Sequence, residues 1–383
     1  LVGSLVVGVG FRVGMKGQPL IPWHQLREEA FRLDPYRLLQ AYAAVYAFNS
    51  LLGSGFILGL GGLAQFVFAL QKLRWAFFFL LAFAVLAQKQ RYSLLTTAIV
   101  IEVLFGLLGF WGGFKDFFPL FAVAYVAAKP YVSPREGVTL LALASVLLYI
   151  GLFWTAVKPE YRQFLTGGER TQRVIVPIGQ QIDKLIELAA ATGAEDILDA
   201  SDDAVRRVSY VNPFAEVVEY IPAHRPYDGG KGWQAGLEHI FKPRLFFPNK
   251  PAVHDSDITR KYTGNEVAGA DQGTSISIGY FGESYADFGS ILMFAPIFFV
   301  GLMYGLMYRF FIVRANIKIV GFAFAASFLT TQIGALPSVP RLLGTSITTF
   351  VSIASLLVFI GPYLYRWVQY PADTLQEESP IHS

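Results

Sequence analysis

The chain has 383 residues and a net charge of +3, with 54% hydrophobic and 15% charged residues. Soluble domains carry about 25% charged residues, so this composition and a mean hydropathy of +0.45 predict a membrane protein with several spanning helices. The small net charge argues against nucleic-acid binding. The absence of cysteine excludes disulfides, zinc–thiolate sites, iron–sulfur clusters and cysteine nucleophiles.

Apolar runs give the order of the predicted spans, because a helix that crosses a bilayer needs about 20 apolar residues. They predict a partial span at 1–10 and spans near 38–70, 74–88, 93–111, 114–129, 137–157, 287–308, 317–335 and 345–365. We interpret the first run as the tail of a span, since it has neither the basic region nor the cleavage site of a signal peptide. The second run is too long for one straight helix and carries Gly53-Ser54-Gly55 in its middle.

The basic residues predict which side of the membrane each connection occupies. If the long insert 158–286 lies outside, the cytoplasmic connections carry twelve lysines and arginines and the short outer connections carry four. We therefore predict an N-terminal bundle at 1–157, an extracytoplasmic loop domain at 158–286, a C-terminal bundle at 287–366 and a cytoplasmic tail at 367–383. The predicted fold class is all-α, a polytopic membrane helix bundle with one large, partly helical extracytoplasmic loop.

The insert has two parts with different patterns. Residues 175–221 show apolar side chains at helical spacing, which predicts amphipathic helices along the membrane surface, and Ser201-Asp202-Asp203 is typical of a helix start. Residues 222–290 are rich in glycine, proline and basic side chains, which predicts turns rather than long helices.

Five cations in the second part could bind an anion: Arg225, Arg244, Lys250, Arg260 and Lys261. The guanidinium fork fits phosphate oxygens, and the ammonium supplies a compact charge. The alternative is a set of solvated surface charges balanced by nearby acids, which is the better interpretation for Arg260 and Lys261. Arg244 and Lys250 favour function, because they lie in a segment made rigid by three prolines.

Glu283 lies where the insert enters the next apolar run. It could act as a general base or bind a sugar hydroxyl, with a pKa raised by partial burial. Alternatively, it could simply favour the positive end of a helix dipole. The neighbouring Tyr280 and Tyr285 offer flat faces on which sugar rings stack. His254 is a second candidate base, and with no other histidine close by it predicts no metal site.

Two charged residues accompany the apolar runs. Arg341 lies between Pro340 and an apolar run. It could face the same outer cavity as the cations of the insert, or it could extend to the membrane interface. Glu102 lies within a predicted span, where a carboxylate is expected to be paired or functional. The sequence has no P-loop, no GxSxG, no HExxH and no dinucleotide fingerprint, so no cofactor is predicted.

Two motifs resemble those of bacterial oligosaccharide repeat-unit polymerases, the Wzy-type O-antigen or exopolysaccharide polymerases. They are Pro-Arg-x-x-x-Pro-x-Lys-Pro at 243–251 and Gly-x-x-Gly-Glu-x-Tyr-x-x-Phe-Gly at 279–289. The topology of many spans with one late outer loop is also similar.

The resemblance implies an integral membrane glycosyltransferase of the GT-C type in the bacterial cytoplasmic membrane. Its substrates would be glycans on undecaprenyl diphosphate, with membrane lipids, a flippase and a chain-length regulator as partners. Glu283, His254 and Arg244 would be catalytic, and Arg225, Lys250, Arg341, Tyr280 and Tyr285 would bind substrate. An O-antigen ligase, a lipid or polysaccharide transporter and a non-catalytic membrane scaffold remain as alternatives.

Overall fold

The computed structural model describes residues 1–18, 21–51, 63–108, 116–129, 131–169, 174–208, 211–242, 246–247, 249–269, 275–332 and 337–370. Every regular element in these ranges is a helix, and the one isolated β-bridge within them pairs Leu33 with Gln369. The predicted all-α class is therefore confirmed for this part of the chain. The tail at 371–383 and the Gly53-Ser54-Gly55 stretch lie outside the described residues.

The described helices fall into three groups along the chain. Before the insert they are α1 (Val2–Gly14), α2 (Trp23–Phe31), α3 (Pro35–Leu51), α4 (Ala64–Gln71), α5 (Leu73–Gln88), α6 (Tyr92–Leu108), α7 (Phe117–Ala128) and α8 (Pro134–Leu165). The insert contributes α9 (Ile178–Ala191), α10 (Ala194–Val208), α11 (Val211–Tyr220), α12 (Lys231–Phe241) and α13 (Asp255–Thr263). The last group is α14 (Gly279–Leu292), α15 (Phe294–Arg314), α16 (Lys318–Gln332), α17 (Val339–Phe359) and α18 (Gly361–Val368).

Four helical segments among the described residues are long and apolar enough to cross a membrane. They are Phe66–Gln88, Pro134–Leu165, Phe294–Arg314 and Val339–Phe359, and the first of them joins most of α4 to α5. The shorter apolar helices α1, α6 and α7 accompany them. These lengths and compositions support the predicted bundle of membrane helices.

Two predicted spans differ from the helices that form. The predicted span 137–157 is part of α8, which continues through Pro159 to Leu165, so the predicted domain boundary at 157/158 lies inside a helix. The predicted span 287–308 is interrupted, because Gly289 has φ 74° and ψ −173° near the end of α14 and α15 begins only at Phe294. Glycine adopts such a backbone conformation at little cost because it has no Cβ.

Helix α5 is the centre of the bundle. Every residue from Trp75 to Ala87 is buried, and the helix packs against α2, α3, α7 and α16. A helix that is apolar on all sides gains most by burial on all sides, which explains this central position.

Glu102, the charge predicted within a span, is buried beside this central helix. Its carboxylate accepts a hydrogen bond of 2.7 Å from the Tyr42 hydroxyl, and it lies 3.8 Å from the Arg74 guanidinium. The Arg74 guanidinium also lies over the rings of Tyr46 and Trp75. The expected pairing of this carboxylate is confirmed, and its partners come from α3 and α5.

Helices α1 and α15 cross at very close range through two glycine pairs. A Cβ at Gly10 would lie 2.2 Å from the carbonyl oxygen of Phe298, and one at Gly301 would lie 2.2 Å from that of Val7. Gly10 and Gly14, and Gly301 and Gly305, have the small-xxx-small spacing that lets membrane helices approach backbone to backbone. The crossing therefore depends on the absence of side chains at these positions.

The two ends of the bundle differ in their basic residues and in the segments attached to them. At one end, which we call the basic end, α2 meets α5 and α16: the Gln88 amide donates to Leu33 O at 2.8 Å, and Ile319 N–H donates to the Glu29 carboxylate at 2.8 Å. The twelve basic residues counted above lie in the connections at this end or on the helices that lead into them: Arg12, Lys16, Arg27, Arg32, Arg37, Lys89, Arg91, Lys129, Arg135, Arg309, Arg314 and Lys318. The insert is connected to the opposite end, which we call the insert end.

The insert is more helical than its sequence predicted. The helical interpretation of 175–221 is confirmed by α9, α10 and α11, but Ser201 lies inside α10 rather than at a helix start, with its hydroxyl donating to Leu198 O. The prediction of turns throughout 222–290 is wrong in part, since α12, α13 and most of α14 form there. Buried side chains on each of these three helices supply the packing that propensity alone did not indicate.

Candidate functional site

Helix α12 is fixed at its N-terminus by a carboxylate from α14. Asp287 accepts from the N–H of Gly232 at 3.1 Å and of Trp233 at 2.8 Å, two donors that the first turn of a helix leaves without intrahelical partners. The Trp233 indole N–H donates to the Ser284 hydroxyl at 3.1 Å. A Cβ at Gly236 would lie 2.7 Å from a methyl group of Val339, so α12 also packs tightly on α17. These contacts determine where the C-terminal end of α12 lies.

A second buried carboxylate fixes the start of α17. Asp255, at the start of α13, accepts from the Ser338 hydroxyl at 2.7 Å and from the Ser275 hydroxyl at 3.1 Å. The Arg341 guanidinium lies 3.0 Å from the same carboxylate and also donates to Ser275 at 3.3 Å. The Arg341 side chain nevertheless stays 48% exposed. Asp255 therefore positions a guanidinium whose remaining surface is accessible.

Glu283 lies near both of these acidic groups and is only 2% exposed. Its carboxylate accepts from the Val339 N–H at 3.1 Å, the first residue of α17. Burial raises the pKa of Glu283 to about 8, and the nearby Asp255 and Asp287 contribute in the same direction. The Val339 N–H and the Lys261 ammonium lower it. A carboxyl in this environment is mostly protonated at neutral pH, since burial disfavours its charged form.

The placement of Glu283 differs from the sequence-based expectation. It lies inside α14 and touches the start of a different helix, so the interpretation as a carboxylate at the entry to its own span is wrong. Its burial is greater than the partial burial that we expected.

A cleft opens at the insert end where α4, α12 and α17 meet. Its volume is about 670 Å³, and three cationic or titratable side chains, Lys72, His239 and Arg341, face it among small and apolar residues. The remaining lining residues are Phe68, Ala69, Ala252, Val253, Pro340, Gly344, Thr345, Thr348 and Thr349. We call this cavity the cationic cleft.

The cleft combines two kinds of surface. Lys72 joins α4 to α5, and its carbonyl accepts from the Ser327 hydroxyl at 3.1 Å. Thr345, Thr348 and Thr349 continue from Arg341 along α17, a candidate span. A polar headgroup could bind the cations while an apolar chain lies along the helices. This arrangement suits an anionic amphiphile.

The predicted cations divide between two places. Arg341 lines the cationic cleft, and Lys250 lies beside it because its ammonium donates to the His239 carbonyl oxygen. Arg225 pairs with Asp228 at 3.3 Å, near the other end of α12. Because the eleven residues of α12 extend over about 16 Å, Arg225 is separated from the cleft. The expectation that it would join the same pocket is wrong.

Lys261 and Arg260 form ion pairs, as their interpretation as surface charges predicted. Lys261 shares Asp228 with Arg225, and Arg260 lies 2.9 Å from Asp257. Neither of these two basic residues lines the cationic cleft.

His254 is exposed and directly precedes the first residue of α13. It is one residue beyond Val253, which lines the cleft. No group of three or more histidine, aspartate or glutamate side chains with the geometry of a metal site occurs in the described residues. Arg244, the remaining catalytic candidate, lies outside them, so its role stays a prediction.

The two tyrosines do not offer the exposed faces that we expected. Tyr280 is 5% exposed, and its ring packs against Phe281 with 4.5 Å between centroids. Tyr285 is 7% exposed and packs against Phe214 and Tyr227. Tyr285 does line a separate cavity of about 640 Å³, whose other residues are mainly apolar. Both rings therefore stabilise helix packing, and the sugar-stacking prediction is wrong for this arrangement.

Sequence reasoning missed two of the three cationic or titratable residues of the cleft. Lys72 is one of the four basic residues assigned above to the short outer connections. His239, fifteen residues from His254 in the chain, was considered only as too distant for a shared metal site. A lysine that interrupts a long apolar run was the available signal for Lys72, because ionisable residues among apolar helices usually face the interior or a cavity.

The family described as "Domain of unknown function (DUF8712)" matches residues 24–330, and the chain belongs to this family. The matched residues include Lys72, His239, Lys250 and Glu283 and end before Arg341. No curated protein and no solved structure matches the chain.

Proposed function

We propose that this protein is an integral membrane glycosyltransferase that polymerises undecaprenyl-diphosphate-linked oligosaccharide repeat units at the outer face of the bacterial cytoplasmic membrane. The observation that carries the proposal is the cationic cleft, which presents Lys72, His239 and Arg341 beside the apolar helices of the bundle. The motif resemblance at 243–251 and 279–289 supports the assignment to sugar transfer. The insert end is then extracytoplasmic, consistent with the excess of lysine and arginine at the basic end.

In the proposed reaction, the cleft holds the diphosphate of the donor. A hydroxyl oxygen at the non-reducing end of one repeat unit bonds to the anomeric carbon of another chain. The bond between that carbon and the diphosphate oxygen breaks, and undecaprenyl diphosphate leaves with the bonding electrons. Lys72 and Arg341 stabilise the charge that develops on this leaving group. The donor bond supplies the free energy, so no nucleotide is needed.

The hydroxyl proton requires an acceptor near the cleft. His254 takes this role in the proposal, because it is exposed and adjacent to a cleft residue. An imidazole is suited to it, because an unprotonated ring nitrogen can accept a proton from a hydroxyl. Glu283 is assigned a positioning role instead: it holds the start of α17 through Val339, two residues before Arg341. Lys250, which lies beside the cleft, and Arg244 are proposed to bind the same diphosphate.

The proposal requires the cationic cleft to bind the diphosphate. Comparing the binding of undecaprenyl diphosphate and of uncharged undecaprenol to the purified protein tests this. We expect the diphosphate to bind tighter. Lys72→Gln and Arg341→Lys should each weaken diphosphate binding by about tenfold or more, because the first removes a charge and the second removes the guanidinium fork that can contact Asp255 and a phosphate together. Arg341→Lys retains a charge opposite the buried Asp255, which avoids leaving that carboxylate unpaired.

Arg135→Gln is the matched control, because Arg135 is exposed at the basic end. Equal binding of undecaprenol and undecaprenyl diphosphate, unchanged in both cleft variants, would overturn the proposal.

Turnover separates the alternatives. Purified protein with a lipid-linked repeat unit should produce a ladder of glycan lengths. A single transfer to a lipid A core would instead identify a ligase, and diphosphate binding without transfer would favour a transporter. His254→Ala should abolish the ladder while leaving diphosphate binding unchanged.

A further inference from the structure

A second cavity lies at the basic end, on the opposite side of the bundle from the cationic cleft. Its volume is about 520 Å³, and it opens between the end of α15, the start of α16, the end of α17 and α18. Its polar side is formed by Arg314, Asn316, Arg366 and Gln369. Its apolar side is formed by Ala315, Ile317, Val320, Leu357, Val358, Gly361 and Pro362, and Tyr365 also faces it.

Two exposed guanidinium groups line this cavity. Arg314 and Arg366 are both exposed, and neither forms an ion pair or hydrogen bond with the residues that the structure describes. The Arg314 guanidinium lies 6.0 Å from the centroid of the Phe310 ring, and this is its one side-chain interaction with the described residues. A guanidinium presents several donors in a planar fork that matches phosphate oxygens. The cavity therefore has the donors for one phosphate, and its lining contains no carboxylate from the described part of the chain.

Helix α18, which lines the cavity, is held in place by hydrogen bonds from the start of α3. Asp34 N–H donates to Val368 O at 2.8 Å, and the Arg37 guanidinium donates to Trp367 O at 2.8 Å and to Gln369 O at 3.0 Å. These bonds satisfy carbonyls at the C-terminal end of the helix, which have no intrahelical partners. The backbone at Arg366 is thereby fixed relative to α3, so that binding has to order only the side chain.

The surroundings of the cavity are those of a membrane interface. Tyr363 on α18 is 72% exposed, Trp367 on the same helix is also exposed, and such rings are typical of the headgroup region. Phe359 and Val313, at the ends of two candidate spans, expose apolar side chains along which acyl chains can lie. An anion that binds here would carry its own apolar part.

We infer that this cavity binds the headgroup phosphate of an anionic phospholipid in the leaflet opposite the cationic cleft. Arg314 and Arg366 contact the phosphate, Asn316 and Gln369 reach the polar headgroup, and the acyl chains follow the exposed ends of α15 and α17. This inference does not depend on the glycosyltransferase proposal, because it uses different residues at the other end of the bundle.

The test is lipid binding by native mass spectrometry, with phosphatidylglycerol or phosphatidylcholine added to the protein in detergent micelles. We expect the wild-type protein to retain phosphatidylglycerol preferentially. The double variant Arg314→Gln/Arg366→Gln should bind it about thirtyfold more weakly, or about 2 kcal/mol, because each basic side chain near an anionic membrane surface contributes about 1 kcal/mol.

The matched control is Arg12→Gln/Arg135→Gln. It removes the same charge from two exposed arginines that do not line the cavity, one in the last turn of α1 and one in the first turn of α8. This variant should bind phosphatidylglycerol as the wild type does. Equal weakening in both double variants would show a general charge effect and overturn the inference, as would unchanged binding in the first.

Inorganic phosphate distinguishes a lipid site from a site for a soluble anion. We expect it not to displace phosphatidylglycerol, because it cannot use the apolar part of the cavity. Displacement by phosphate at comparable concentration would overturn the lipid assignment. None of these measurements requires glycan transfer, so their failure is distinguishable from failure of the proposed function.

Discussion

Replacing Glu283 by glutamine tests whether a protonated carboxyl holds the start of α17. The amide oxygen of glutamine can still accept from the Val339 N–H, which now lies 3.1 Å from the carboxylate, but glutamine carries no ionisable proton. The pKa of Glu283 is raised from 4.5 to about 8 in the folded protein, with burial as the main cause. Below pH 4.5 both the folded and the unfolded state bind the proton, so this group leaves stability unchanged with pH there.

Between pH 4.5 and about 8 the unfolded state releases the proton first, so the wild-type protein loses stability as the pH rises. One pKa unit corresponds to about 1.4 kcal/mol, and the full loss above pH 8 therefore has an upper limit of about 5 kcal/mol. Glu283→Gln removes this loss. We expect the variant to match the wild type below pH 4.5 and to become progressively more stable than it as the pH rises.

Thermal unfolding in detergent micelles, followed by circular dichroism across this pH range, measures the difference between the two proteins. Other titrating groups are common to both, so they cancel in that difference. Glu266→Gln is the matched control because the Glu266 side chain is 96% exposed. Its stability should change with pH in parallel with that of the wild type. Parallel profiles for Glu283→Gln and the wild type would refute the reasoning, since they would mean that Glu283 titrates as it does in the unfolded chain.

Two further substitutions probe the packing that positions the site. Gly10→Ala should destabilise the bundle by about 1–3 kcal/mol in thermal unfolding, because its Cβ must move at least 0.8 Å from the Phe298 carbonyl to reach an allowed 3.0 Å. Gly8→Ala on the same helix meets nothing within 4 Å and should be tolerated, so equal effects of the two would argue against the close crossing. Asp287→Asn should cost about 1–2 kcal/mol and speed amide exchange in α12, because one of its two charge-assisted hydrogen bonds is lost. The exposed Asp257→Asn should stay within about 0.5 kcal/mol of the wild type, and unchanged exchange in α12 on replacing Asp287 would show that this carboxylate does not hold the helix.

Local patterns in the chain were enough for the class of fold and for much of the helical content. The all-α class and the amphipathic helices of residues 175–221 followed from composition and from spacing along a single helix. The pairing of Glu102 was also expected, because an isolated carboxylate among apolar helices is costly wherever its partner comes from. Each of these inferences concerns a property that a short segment carries by itself.

The sequence analysis placed most of the candidate site in the insert and misjudged the structure of its second half. Glycine and proline in residues 222–290 indicated turns, yet α12 and α13 form because their apolar side chains are buried against other helices. Tyr280 and Tyr285 looked like surface rings for the same reason, and contacts from other segments bury them. Propensity is a weak guide wherever packing supplies most of the helix stability.

The residues of the cleft come together only in three dimensions. Lys72 and Arg341 are far apart in the chain and meet because α4 and α17 pack together, whereas Arg225 was grouped with Lys250 by proximity in sequence and lies near the other end of α12. Hydropathy is a sum over neighbouring residues and can therefore be calculated from the amino-acid sequence alone. Which charge faces which cavity depends on how helices cross, and that is determined by contacts such as the Gly10–Phe298 approach and the Asp287 cap, each between residues distant in the chain.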